Sequence, residues 1–461
     1  MNDELKIKNN ELGGKMNYRY RTDEEMKDSG VEWIGKIPKE WINNKISREF
    51  EIIGSGSTPL SSNLEYYNGD INWLLTGDLT DGYIYQTSKK ITQKALKDYS
   101  TLNIYPEESL IIAMYGATIG KTGLTKIKTT TNQACCVLAN PKNLNIKFAH
   151  YWFIANKNEI VNLGRGGGQP NISQDLIKSL KFSNPLKSEQ DNIVKFLDEK
   201  TAEFDSIISK KEALIEKLEE AKKSLISEVV TGKVKVVKTN DGYELVERKK
   251  EEMKDSGVEW IGKIPKGWEC NNFRRSVTLK QGLQIAQSDR YYEAGDGRYI
   301  YITVKYINSD KDKNNTEYIL NPDKGVLCNK EDVLLARTGA TGKVVTNIEG
   351  VFHNNFFKII YDKSKLIKEY LVYYLIQKNV QEYLKLVAGT TTIPDLNHGD
   401  FLSTKLVLPN KIQQEKIVEF LNEKTAHFDS IISKKEALIE KLKEAKQSLI
   451  SEAVTGKIEI L

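Results

Sequence analysis

The chain carries two passages twice, and that repetition limits its possible folds more than any other feature. Met26–Pro38, MKDSGVEWIGKIP, recurs unchanged at Met253–Pro265, 227 residues later. Thr201–Lys233 recurs at Thr425–Lys457 with 29 of 33 positions the same; the differences are Glu203/His427, Glu219/Lys443, Lys223/Gln447 and Val229/Ala453. Between the matched passages the two halves diverge. The order is a short box, a variable module and a helical passage, written twice. Solenoid repeats run to ~20–50 residues and stack on their neighbours. A unit of about 225 residues reads instead as tandem duplication of a whole domain.

The helical passages explain themselves by periodicity. Apolar residues run Phe204, Ile207, Leu214, Leu218, Ala221 and Leu225 in the first, and Phe428, Ile431, Leu438, Leu442, Ala445 and Leu449 in the second, with Lys211 and Lys435 at the same break. Alternating steps of three and four make a coiled-coil seam. Ile193, Phe196 and Leu197, and Ile417, Phe420 and Leu421, extend the helices upstream, and Gly232 and Gly456 stop them. Such a helix is ~60 Å long and cannot bury its stripe alone. Antiparallel pairing of the two is the expectation. After the first helix, Lys233–Lys238 and Tyr243–Glu247 alternate around Asn240-Asp241-Gly242, which fits a small hairpin or a plain linker. Met1–Asp23 has no counterpart before the second box and is polar; residues 1–25 are expected to be a disordered leader, with Met16 a candidate start.

Both variable modules read as strand-rich with short helices. Ile71–Leu75, Leu110–Met114 and Ala134–Leu138 are strand-like in the first, as are Tyr299–Val304, Val333–Ala336 and Phe356–Tyr361 in the second; Phe148–Ile160 and Lys365–Leu386 look helical. Each has a glycine loop after a strand: Gly116-Ala-Thr-Ile-Gly-Lys121, and Gly339-Ala-Thr-Gly-Lys343 preceded by Arg337. Small residues let a backbone approach a phosphate and lysine adds charge, although a plain tight turn uses the same residues. A nucleotide-binding G-x-x-x-x-G-K-[ST] loop fails, because its first glycine would fall on Tyr115. Gly164-Arg165-Gly-Gly-Gly168-Gln169-Pro170 and Gly389-Thr-Thr-Thr392 are hinge loops or DNA-facing loops; in the second reading Arg165 and Gln169 are contacts.

Other classes find little support. The net charge of +5 permits a polyanion partner without requiring one. No apolar run is long enough to span a membrane. Cys135, Cys136, Cys270 and Cys328 form no CxxC pair, so neither a disulfide framework nor a zinc site is expected, and a reducing cytoplasm is the natural location. Methyltransferase [DN]-P-P-[FY] and dinucleotide G-x-G-x-x-G patterns are missing, Asn354-Asn355-Phe356-Phe357 being only a superficial likeness, and Pro322-Asp323 and Pro394-Asp395 lack a strand-borne [DE]-x-K at the spacing a nuclease core needs. His150, His353, His398 and His427 are scattered. No catalytic or metal residue is assigned.

The boxes SGVEWIGKIPKEW (Ser29–Trp41) and SGVEWIGKIPKGW (Ser256–Trp268) resemble those of type I restriction-modification specificity subunits. Gly54-Ser-Gly-Ser-Thr-Pro59, Trp73-Leu-Leu-Thr-Gly-Asp-Leu79, Gly116–Gly120 and Thr131-Asn-Gln-Ala134 look like a target-recognition domain of that family; the second module keeps only Gln281-Gly282 and Thr341-Gly-Lys343. The family's PPL-x-EQ passage survives as Asn184–Gln190 and Leu408–Glu415. The resemblance implies an α+β fold with an internal pseudo-two-fold repeat: target-recognition domains at 26–185 and 253–409, antiparallel coiled-coil spacer helices at 186–232 and 410–461, and a linker at 233–252. It implies a non-catalytic chain that reads a bipartite site on double-stranded DNA. Lys121, Arg165, Gln169, Arg337 and Lys343 are the candidate contacts. S-adenosylmethionine, ATP and magnesium would reside on partner modification and restriction subunits. A coiled-coil scaffold with two binding heads, or a stand-alone DNA-binding regulator, are the competing readings.

Overall fold

The computed structural model describes residues 18–164, 171–240, 242–309, 316–389 and 394–461. The chain divides into two compact units. One comprises Met1–Glu212 with Glu436–Leu461, the other Ala213–Lys435. The division cuts both long helices, Lys187–Val230 and Lys411–Val454, which at 44 residues each span about 66 Å. Each unit therefore holds one variable module, the start of the helix that follows it, and the end of the other helix. The boundaries expected from sequence had kept each helix whole beside its own module.

In the first unit the module is built on a five-stranded sheet, ordered Phe50–Gly54, Cys135–Pro141, Leu110–Ala113, Thr122–Thr125, Gly82–Ile84. All its pairs are antiparallel except the last. A smaller sheet joins Thr130–Thr131, Tyr67–Leu74 and Lys89–Ile91. The second module has a four-stranded sheet of Val277–Gln281, Phe356–Tyr361, Val333–Ala336 and Val344–Val345, and another of Tyr318–Leu320, Arg298–Ile302, Gly350–Phe352 and Leu327–Cys328. Leu110–Ala113 and Val333–Ala336 are buried throughout, so continuous apolar runs mark the central strands. The helical stretch of each module is a broken pair, Ile146–Ala155 with Lys157–Asn162 and Lys368–Ile376 with Lys378–Val387, the breaks falling at Asn156 and Gln377.

Within the first unit the two helix segments run antiparallel. Arg21 donates from Nη2 to Glu189 Oε1 at 2.9 Å and from Nη1 to the Gly456 and Ile458 carbonyls, bringing the start of one helix beside the end of the other. Farther along, Lys446 Nζ meets Asp205 Oδ1 at 2.6 Å. The second unit repeats the register, with Lys222 Nζ 2.5 Å from Asp429 Oδ1. Of the expected seam, Phe204, Leu442 and Leu449 are buried and Ile207, Leu218, Leu225, Phe428, Ile431 and Leu438 half-buried, whereas Leu214 is 40% exposed. Ile208, Ile226, Ile439 and Ile450 are buried as well, so the apolar stripe is wider than the seam. Each fully buried side chain of this size contributes about 1.5–3 kcal/mol.

Each box seals the end of a long helix from the other copy. Gly456 turns with φ +71° against Pro38 and Trp41, and Gly232 turns with φ +71° against Pro265 and Trp268. Strand pairing completes the cap. Val234–Thr239 and Gly242–Glu247 form the hairpin after the first helix, Val234 opposite Glu247. After the second helix Ile458–Ile460 pairs with Tyr18–Tyr20, Ile458 opposite Tyr20. Residues 18–20 of the expected leader are thus a strand equivalent to one arm of the hairpin; the leader before Tyr18, Met16 included, lies outside the described residues.

Candidate nucleic-acid interface

The sequence motifs of the first module converge. Gly56 lies so close to the Thr131 carbonyl that no side chain fits there. Thr58 Oγ1 donates to Gln133 Oε1 at 2.6 Å, and Trp73 Nε1 to the Ser57 carbonyl at 3.2 Å. Asn132 N donates to the Leu74 carbonyl and Met114 N to the Ala134 carbonyl. Asp78 holds the turn after Trp73-Leu74-Leu75 by accepting from the amides of Leu75 and Ser88. The second module lacks the matching letters and keeps the geometry. Gly282 packs against the Phe352 and His353 carbonyls, and Asn354 Nδ2 donates to Gln284 Oε1 at 2.7 Å.

Both glycine loops are hairpin turns at the ends of buried strands. In the first, Ala113 N donates to the Lys121 carbonyl and Gly120 N to the Ala113 carbonyl, with Gly116 and Gly120 at φ +84° and +73°. In the second, Ala336 N donates to the Lys343 carbonyl and Gly342 N to the Ala336 carbonyl, with Gly339 and Gly342 at +74° and +87°. The segment after each module's broken helix pair docks alongside: Ile172 N donates to the Met114 carbonyl, and Leu396 N to the Arg337 carbonyl. Glycine loop and post-helix segment are therefore brought together in each module by the same backbone bond. The amides of Ile119, Gly120 and Lys121 close the turn internally.

Of the expected contacts, Lys121 is half-buried beside its turn and makes no side-chain hydrogen bond among the described residues. Arg165 and Gln169 lie outside the described residues. Lys343 Nζ donates to Asn308 Oδ1 at 2.7 Å. Arg337 is held on two points by Asp395, Nε to Oδ1 at 2.8 Å and Nη2 to Oδ2 at 2.6 Å, with its guanidinium 5.5 Å from the Phe357 ring centroid. A fork engaged in this way has to leave Asp395 before it can read a base edge. In the sequence Asp395 figures only as part of a Pro394-Asp395 pair without a nuclease partner, and nothing there joins it to Arg337, from which it is separated by 58 residues.

His150 and His353 have structural surroundings. His150 Nε2 lies 3.0 Å from Thr122 Oγ1, and burial pushes its pKa down to about 4. Burial also lowers His353, whose Nδ1 accepts from Asn355 N. Burial raises all four cysteine thiols, Cys136 to about 12 and Cys328 to about 11. Among the described residues no three His, Cys, Asp or Glu side chains gather in a way that could hold a metal, and no helix is long and apolar enough to cross a membrane.

Each of the two units is thus a strand-rich module seated on a pair of antiparallel helix segments. Residues 38–218 and 277–441 match the type I restriction modification DNA specificity domain, and the chain belongs to that family. It is a type I restriction-modification specificity subunit, a non-catalytic component. The type I restriction enzyme MjaVIII specificity subunit of Methanocaldococcus jannaschii is 23% identical over 443 residues, covering 92% of this chain and 94% of that protein. The MjaIX specificity subunit of the same organism is 27% identical over 184 residues, 38% of this chain and 41% of that one. A chain solved in work on the complex assembly and conformational transition of the type I R-M system matches with a TM-score of 0.62 at 15% identity, over 91% of this chain and 99% of that chain, a likeness of fold.

Proposed function

We propose that the chain reads a split DNA site, one half-sequence with each module, and directs the modification and restriction subunits of a type I complex to it. The observation that carries this reading is the duplication. Each unit sets a different module on the same helical frame, held by the same ion pair, Asp205 with Lys446 and Asp429 with Lys222. A conserved frame beneath unlike heads suits two unlike half-sites at a spacing set by the frame, as dimer geometry sets half-site spacing in other readers. Lys121 and Lys343 supply phosphate contacts, with Arg165 and Gln169 in the first head. Arg337 reads a base once released by Asp395. The adenine to be methylated is flipped into the modification subunit, which supplies S-adenosylmethionine; ATP and magnesium belong to the restriction subunits.

The test is co-expression with the modification subunit of its own system, followed by mapping of methylated adenines. A bipartite motif with two unlike halves and a fixed unread spacer supports the reading. Methylation at a single contiguous motif, or at none, overturns it.

A further inference from the structure

The two copies differ in the partner offered to one buried tryptophan. In the first, Glu189 is clamped by two donors: Trp41 Nε1 reaches its Oε2 at 3.1 Å, and Arg21 Nη2 its Oε1 at 2.9 Å. The equivalents of Trp41 and Arg21 in the second copy are Trp268 and Arg248, but the equivalent of Glu189 is Gln413. Trp268 is 3% exposed, and its Nε1 has no hydrogen-bond partner among the described residues; nor has the buried Nε of Arg248. Trp268, Arg248 and Gln413 line a cleft of about 240 Å³, with Lys235 and Lys416 on its walls. The guanidinium of Arg248 lies 5.9 Å from the Trp268 ring centroid. Burial draws this guanidinium below its ordinary value, opposed by the charge of Glu252.

We infer that this cleft is a carboxylate-binding site, in which an external carboxylate takes the place that Glu189 fills in the first copy. In the first copy an indole N–H and an arginine N–H meet the two oxygens of one carboxylate, and Trp268 and Arg248 offer the same donor types at the equivalent positions. The lysines add positive charge, and the neutral Gln413 amide cannot neutralise them. The carboxylate is either a free small anion or an acidic side chain of a partner subunit.

The experiment is thermal unfolding of the full chain in sodium acetate against sodium chloride at matched ionic strength. Acetate is expected to raise Tm saturably. Trp268→Phe, which keeps the ring and loses the N–H, is expected to abolish that increment. Gln413→Glu, which supplies the carboxylate in cis, is expected to raise Tm by about 2–4 °C in chloride and to make acetate ineffective. The source follows from binding of the modification subunit: reduced affinity with Gln413→Glu marks a partner's acidic side chain, and unchanged affinity marks a free anion. No acetate increment in the parent chain, an increment that survives Trp268→Phe, or a Gln413→Glu variant no more stable than the parent overturns the inference.

Discussion

Lys446 Nζ lies 2.6 Å from Asp205 Oδ1, and the residues 224 positions earlier and later, Lys222 and Asp429, make the same pair in the other unit. The pairs mark the same antiparallel register of the helix segments in each unit. Their carboxylates are 63% and 59% exposed, so solvent screens them and each is worth about 0.2–1 kcal/mol. Asp205→Lys should lower stability by about that much or slightly more, since it also places like charges together. Asp205→Lys with Lys446→Asp should recover most of it. Urea midpoints of the single and double variants check this; a double variant no better than the worse single one would show that the pair does not set register.

Gly456 and Gly232 close the helices in left-handed backbone against Pro38 and Trp41, and Pro265 and Trp268. A side chain at either position pays about 1–2 kcal/mol for its backbone conformation and must also displace a buried proline and tryptophan. Gly456→Ala and Gly232→Ala should each cost at least about 2 kcal/mol, read as a lower denaturant midpoint.

His150 makes stability depend on pH. Its pKa is depressed by burial from 6.5 to about 4 in the folded chain. Between those values the unfolded chain binds the extra proton and the folded chain does not, so stability rises with pH across this window and is lost as pH falls through it. The full span is on the order of 3 kcal/mol. Stability curves from pH 7 to pH 4 should be flatter for His150→Gln; an equal slope in the variant would contradict the assignment.

Lys121→Ala and Lys343→Ala should weaken binding to all DNA sequences alike and flatten the salt dependence by about one unit of slope each. Arg337→Ala should instead cost about 1–3 kcal/mol at a single base position. Asp395→Asn, by freeing Arg337 beforehand, should tighten binding to the cognate half-site. Titrations at several salt concentrations separate these cases, and a uniform loss with Arg337→Ala would make that residue a phosphate contact or a brace for its loop.

Periodicity made both long helices legible, because Phe204 to Leu225 and Phe428 to Leu449 repeat at helical spacing on charged segments. It understated their buried face. Ile208, Ile226, Ile439 and Ile450 sit one residue from the seam and are buried too, since a helix that supports a module as well as a partner helix needs a wider stripe. The glycine turns were legible from Gly116–Lys121 and Gly339–Lys343. The role of the boxes was not: Pro38 and Trp41 meet Gly456 more than 400 residues away, and no local pattern encodes such a contact. Nor did composition show that Tyr18–Tyr20 is the counterpart of a hairpin arm, because its partner strand is the last of the chain. The second module hid its likeness to the first, since Gly282 keeps the close backbone approach of Gly56 while the letters around it changed.

A helical frame that sets the distance between two half-sites should move them apart when it is lengthened. Both long helices run through both units, so both must be lengthened together. Four residues inserted after Leu214 and four after Leu438 add about 6 Å and close to one full turn to each. With the duplex rising ~3.4 Å per base pair, methylated adenines mapped in the presence of the modification subunit should show both half-sequences unchanged and the spacer longer by one or two base pairs. Methylation by the lengthened chain at the original spacing would contradict the account.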